Sequence, residues 1–209
     1  MAVEHLLAYV LAHRDEISVA VQTHAALSGA ALGAGAVIGL PLGIWSSRRL
    51  AGPAVVAAVS AARVIPSLAL LTLMLPVLGL GFLPALVALT LLACPPILIN
   101  AYVGYRDVDA AAKEAAAGMG MSPSQVLWRV ETPLAAPVVI AGIRTAAVEV
   151  IASATLATFI GGGGLGDLIN NGLQLNDAAM LETGAACVAL MALAAEAALA
   201  GLGLLARPA

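Results

Sequence analysis

An all-α membrane protein of about five transmembrane helices is predicted by three features of the sequence. Of its 209 residues, 62% are hydrophobic and only 10% charged, and the mean hydropathy is +1.03, more apolar surface than a soluble domain can hide. The apolar residues gather into runs long enough to cross a hydrocarbon core of roughly 30 Å at about 1.5 Å per helical residue. Between the third and fourth runs lies a polar interval, DAAAKEAAAGMGMSPSQVLWRVETP from Asp109 to Pro133, that can form short helices.

In chain order, residues 1–22 read as an N-terminal leader or as an amphipathic helix at the membrane surface, with Leu6, Leu7, Val10 and Leu11 at helical spacing. Glu4, Asp15 and Glu16, with no basic start, argue against a cleavable signal. Residues 23–209 then form a single transmembrane domain. The first span is predicted over 23–45, and its Gly29, Gly33, Gly35, Gly39 and Gly43 predict close helix packing, because association in lipid depends on backbones approaching each other. A basic loop with Arg48 and Arg49 comes next.

The second run, 53–77, contains Arg63 and Pro66 in ARVIPSLALL. Proline removes a helical hydrogen bond, so a break near Ile65 is predicted. A guanidinium inside a span faces a cavity or a counter-charge. Arg63 is therefore a candidate pathway or gate residue, with a structural ion pair to Glu149 or another acid as the alternative. The third span, 85–104, is predicted to bend at Pro95 and Pro96, and Asn100 offers an amide for bonding between helices. The fourth, 134–160, carries Arg144 and Glu149, and the fifth, 178–205, carries Glu182 and Glu196. Five residues separate Arg144 from Glu149, about 140° around a helix, so each needs a partner elsewhere.

Arg48, Arg49, Arg106, Lys113, Arg129 and Arg207 fall on one side of the predicted spans, which places the polar interval and the C-terminus in the cytoplasm and the N-terminus outside. The net charge of −3 lacks the basic stripe that nucleic acid requires. Cys94 and Cys187 lie in apolar runs and read as small buried hydrophobes rather than as a disulfide or metal site. His5, His13 and His24 lack metal-ligand spacing and read as isolated surface residues. Gly161–Gly164 lacks the Lys-Ser/Thr ending of a phosphate loop and is expected to be a flexible external turn.

Within the polar interval, over about 107–132, a helix-turn-helix is predicted. Asp107 or Asp109 caps the first helix, Gly118 and Gly120 end it, and Ser122, Pro123 and Gln125 restart the chain through a capping box. The result is two short helices at a sharp angle, with Lys113, Glu114, Arg129 and Glu131 exposed.

Glu114-Ala115-Ala116, Gly120, Val130 and Pro133 resemble the EAA-x-x-x-G … I-x-L-P signature of the permease subunits of binding-protein-dependent ABC importers, with Val130 and Thr132 in place of Ile and Leu. ARVIPSLALL from Ala61, EAAAGMGMSPSQVLWRVETPLAAPVVIAGIRTA from Glu114 and ATLATFIGGGGLGDLI from Ala154 look like the osmoprotectant group, which carries glycine betaine, carnitine or choline. The resemblance implies a type I ABC importer permease fold in the bacterial inner membrane, surrounded by lipid. An extracytoplasmic solute-binding protein delivers the solute, and a second copy or a homologous permease completes the pathway. ABC ATPase subunits bind ATP and Mg, so that no cofactor or catalytic residue is expected here. Glu114, Ala115, Ala116, Gly118, Gly120 and Pro133 are the implied ATPase-coupling residues. Arg63, Pro66, Asn100, Arg144 and Glu149 are the candidates for the pathway or gate.

The chain is 3% aromatic, a poor supply of the ring faces that tight quaternary-ammonium sites use, which leaves selectivity to the binding protein. Other readings of the chain are an importer of another small solute such as an amino acid, a stand-alone secondary transporter, and a membrane scaffold. No internal repeat supports the secondary transporter.

Overall fold

A computed structural model describes residues 2–205; the side chains of residues 2–5 and 205, His5 among them, and the whole of Arg207 lie outside the description. Among the described residues, four helices are long and apolar enough to cross a membrane: 14–47, 82–106, 123–160 and 178–204. A broken pair, Gly52–Ala62 and Ser67–Leu78, bent by 89°, is apolar enough together to make a fifth span or a re-entrant loop.

Helix α1 (Ala2–Ala12) precedes α2 (Arg14–Ser47), so the first span's helix begins nine residues before the predicted Thr23. At 34 residues it is about 50 Å long, more than a hydrocarbon core needs. Arg14, Asp15 and Glu16 therefore belong to an extension of the helix beyond the membrane, where charge costs little. Tyr9 and Val10 of α1 pack near Ile17, Leu165 and Met180, which docks this segment on the rest of the chain.

The predicted break falls where proline demands it. Helix α3 (Gly52–Ala62) ends at Arg63, and Pro66, extended at ψ 137°, caps α4 (Ser67–Leu73), which a short α5 (Leu75–Leu78) continues. Helix α6 (Phe82–Arg106) runs through Pro95 and Pro96 as one helix.

The core is the packing of α2 and α6 against α9 (Thr132–Ala154), with Leu27 and Ala31, Leu89, Ala93 and Ile97, and Ala146 and Val150 all buried. Small residues set its spacing. A Cβ placed on Gly35 would lie 2.6 Å from the Ala93 Cβ, and one on Gly43 would lie 2.6 Å from that of Ala101. Gly35, Gly39 and Gly43 thus form the packing stripe, four residues apart. Gly29 and Gly33 do not share it, since a Cβ on either meets nothing within 4 Å.

Two further expectations are corrected. The 161–164 segment is not a free turn: Gly162 and Gly164 are buried, and a Cβ on Gly164 would lie 3.2 Å from the His24 ring. It leads into α10 (Leu165–Leu175), an amphipathic helix whose Leu165 and Leu168 are buried, before α11 (Ala178–Leu205) makes the last span. His24 is not a surface residue either. It is fully buried, with Nε2 3.0 Å from the Ile151 carbonyl oxygen.

Candidate functional site

Two regions hold the predicted functional residues: the polar hairpin at one end of the bundle and a charged wall within it. In the hairpin, α7 (Ala110–Gly118) starts at Asp109, whose Oδ1 accepts from the Ala111 amide at 2.9 Å. It ends in a Schellman turn: Gly120 (φ +83°) donates to the Ala117 carbonyl, and Met121 donates to that of Ala116. Gly120 alone supplies the left-handed conformation, and Gly118 stays helical, which corrects its expected role in the turn. The predicted capping box is present. The Ser122 amide donates to Gln125 Oε1 at 2.8 Å, and the Gln125 amide donates to Ser122 Oγ at 3.4 Å.

The chain beyond the capping box does not stop at a second short helix. Helix α8 (Pro123–Val126), a π-helical turn (Leu127–Glu131), α9 and a 3₁₀ segment (Thr155–Ile160) form one 38-residue helical run into the membrane. Pro133 accounts for the π turn: it has no amide to offer the Arg129 carbonyl, so the ladder widens by one residue. The Thr132 hydroxyl then donates to the Leu127 carbonyl at 2.8 Å and bonds the Tyr105 hydroxyl at 2.9 Å, tying the end of α6 to the root of α9. Thr132 is where the sequence departs from the signature's Leu, and its signal is the hydroxyl itself.

Glu114 and Ala115 are exposed, as are Met119 and Trp128 at 73% and 66%, whereas Ala116 is buried. Glu131 is not the free charge that was expected. Its carboxylate, 12% exposed, pairs with Arg48 at 2.5 Å and anchors the basic loop to the root of α9.

In the wall, Arg63 and Glu149 form an ion pair at 2.6 Å. Arg144 pairs with Glu196 of α11. The 140° offset thus places two opposed partners on the two flanks of α9, leaving Ala141, Thr145 and Val148 exposed between them. Glu149 borders two spaces: a cavity of about 320 Å³ that it shares with Arg63, Ile65, Leu91 and Pro95, and a groove of about 530 Å³ shared with Arg144 and Glu196. Asn100 does not bond across helices as expected. Its Nδ2 donates to the Pro96 carbonyl of its own helix at 2.8 Å, and its Cβ fills the space left by Gly142 of α9.

Comparison with known proteins is consistent with this geometry. Residues 35–206 match the family model described as binding-protein-dependent transport system inner membrane component. The choline transport system permease protein OpuBB of Bacillus subtilis is 39% identical over 190 residues, 90% of this chain and 88% of that one. The carnitine transport permease protein OpuCB of Listeria monocytogenes is 44% identical over 185 residues, 87% and 85% of the two chains. The osmoprotectant import permease protein OsmW of Salmonella typhimurium is 38% identical, covering 88% and 89%. Among solved structures, an inward-facing form of the MetNI methionine ABC transporter superposes with a TM-score of 0.80 at 23% identity, covering 92% of this chain and 96% of that one, a likeness of fold.

Proposed function

The chain belongs to the family of binding-protein-dependent transport system inner membrane components, and from that premise we propose that its solute is a small quaternary-ammonium osmoprotectant such as choline, carnitine or glycine betaine. It is a multi-pass permease subunit of an ABC importer, working with a solute-binding protein and with a partner ATPase that binds and hydrolyses the nucleotide. The observation that carries the substrate is the identity of about 40%, across nine-tenths of the chain, to permeases named for choline and carnitine.

The hairpin is the coupling element. Glu114 and Ala115 seat in a partner ATPase, Ala116 and Gly120 hold the turn behind them, and the continuous helix from Pro123 to Ile160 carries the motion into the bundle. A second permease, the same chain or a homologue, covers the wall of Arg63, Glu149, Arg144 and Glu196. Half-exposed charges at membrane depth require protein or water rather than lipid. The positive-inside bias supports a cytoplasmic hairpin, with the N-terminus outside and the C-terminus inside. The binding protein docks at the opposite end, near the Gly161–Gly164 junction.

Reconstitution of the permease with its ATPase and binding protein in liposomes tests the reading. ATP-dependent uptake of radiolabelled choline, carnitine or betaine is expected. Uptake of an amino acid instead, or uptake driven by an ion gradient without ATP, contradicts it.

A further inference from the structure

We propose that Arg63 is a tethered stand-in for the quaternary ammonium group of the transported solute, occupying an ammonium subsite built by Glu149 and by the backbone of α6. The proposal rests on the quaternary-ammonium reading of the substrate. Three observations lead to it.

The first is the acid. Glu149 stands on the long, continuous α9 helix and is held by one guanidinium at 2.6 Å. Its side chain is 34% exposed and that of Arg63 is 41% exposed, so a solute in the adjoining space can reach the carboxylate. The second is the backbone. Leu91 and Leu92 line the same cavity, and the residues four further on, whose amides would donate to their carbonyls in a regular helix, are Pro95 and Pro96. Those nitrogens carry no proton, so two carbonyls of α6 lack their regular ladder donors in residues that line the same cavity as Glu149. Two carbonyls and a carboxylate favour positive charge, and Arg63 supplies it at present.

The third is the way Arg63 is mounted. It sits in the four-residue break between α3 and α4, the 89° elbow of the broken pair. A change of angle there carries the guanidinium away from Glu149 while α9 and α6 keep the subsite in place. The vacated space is lined by Ile65, Leu70, Leu91 and Leu92. A trimethylammonium group has no N–H to satisfy and presents methyl groups to such walls while its charge faces the Glu149 carboxylate. The absence of an aromatic residue from the lining keeps the site weak, as passage requires. Each import cycle then exchanges one cationic group for another at Glu149, and the return of Arg63 expels the solute and recloses the path.

The test uses the complete transporter, with its ATPase and binding protein, in liposomes and tracks radiolabelled choline. Glu149→Gln is expected to lower uptake at least tenfold, and Glu149→Asp to retain at least a third of it. The swap of Arg63→Glu with Glu149→Arg rebuilds an ion pair but puts positive charge on the fixed wall, so the assembled complex is expected to remain at least tenfold down. Uptake restored by the swap to half of wild type makes the pair merely structural and overturns the proposal, as does Glu149→Gln within twofold of wild type. If the swapped complex does not assemble, the Gln and Asp variants decide: equal uptake in the two overturns the proposal, and a clear advantage for Asp supports it. A wild-type assembly that takes up none of the three osmoprotectants overturns the functional reading instead, and this one with it.

Discussion

The hairpin and the wall are built by opposite means. In the hairpin the caps and the turn close within five residues, Asp109 with Ala111, Gly120 with Ala117, Ser122 with Gln125, and the longer reaches of Glu131 and Thr132 come only at the root of α9. In the wall the partners are 86 and 52 residues apart in sequence, and each pair bridges separate elements. A locally satisfied element can be moved as a unit without breaking its own bonds, which suits a part that docks on a motor. A wall held by long-range pairs changes only when elements move relative to one another, which suits a gate.

The largest expected effect comes from removing one side of a long-range pair. Glu149→Ala leaves Arg63 without a counter-charge in a membrane span, where an unpaired charge costs about 2.5–3.5 kcal/mol, and should lower ATP-dependent uptake more than tenfold. If uptake survives within twofold, the wall is not a gate. Next, Gly43→Val drives its Cβ into Ala101 and the Leu98 carbonyl, both at 2.6 Å. Overpacking of this kind costs roughly 1–3 kcal/mol, seen as a lower melting temperature in detergent, whereas Gly29→Ala, inside the same helix with open space, should hold or slightly raise it.

In the hairpin, Gly120→Val forces a β-branched residue to φ +83°, at a cost of about 1–2 kcal/mol. It should uncouple ATP hydrolysis from uptake, or prevent ATPase docking, while the bundle's melting temperature holds; normal transport would remove the turn from the coupling role. The smallest effects separate the two glycines. Gly118→Ala, inside the helix, should stabilise the hairpin by roughly 0.5–1 kcal/mol, and Gly120→Ala should destabilise it, both readable by hydrogen exchange of the Ala115–Met121 amides.

The same contrast explains what the sequence disclosed. Capping residues, the Schellman glycine and the proline break act over a few positions, so Asp109, Ser122, Gly120 and Pro66 were legible where they stand. The spans were legible as apolar runs, but not their ends. Charge at 14–16 does not stop a helix that has already left the membrane, and Pro133 widens a helix into a π turn rather than ending it. Helix α10 escaped because Asn170, Asn171 and Gln174 make it too polar for a span, although its Leu165 and Leu168 spacing is amphipathic. His24 and Glu131 looked exposed because their surroundings, the Ile151 carbonyl and Arg48, are 127 and 83 residues away in sequence.

Arg63 and Glu149 act as one device in this scheme, and a double-mutant cycle on choline uptake measures that directly in the reconstituted transporter. Arg63→Ala and Glu149→Ala should each reduce uptake, and the double variant should be no worse than the more damaged single. Losses that multiply strictly, with no coupling between the two positions, would contradict it.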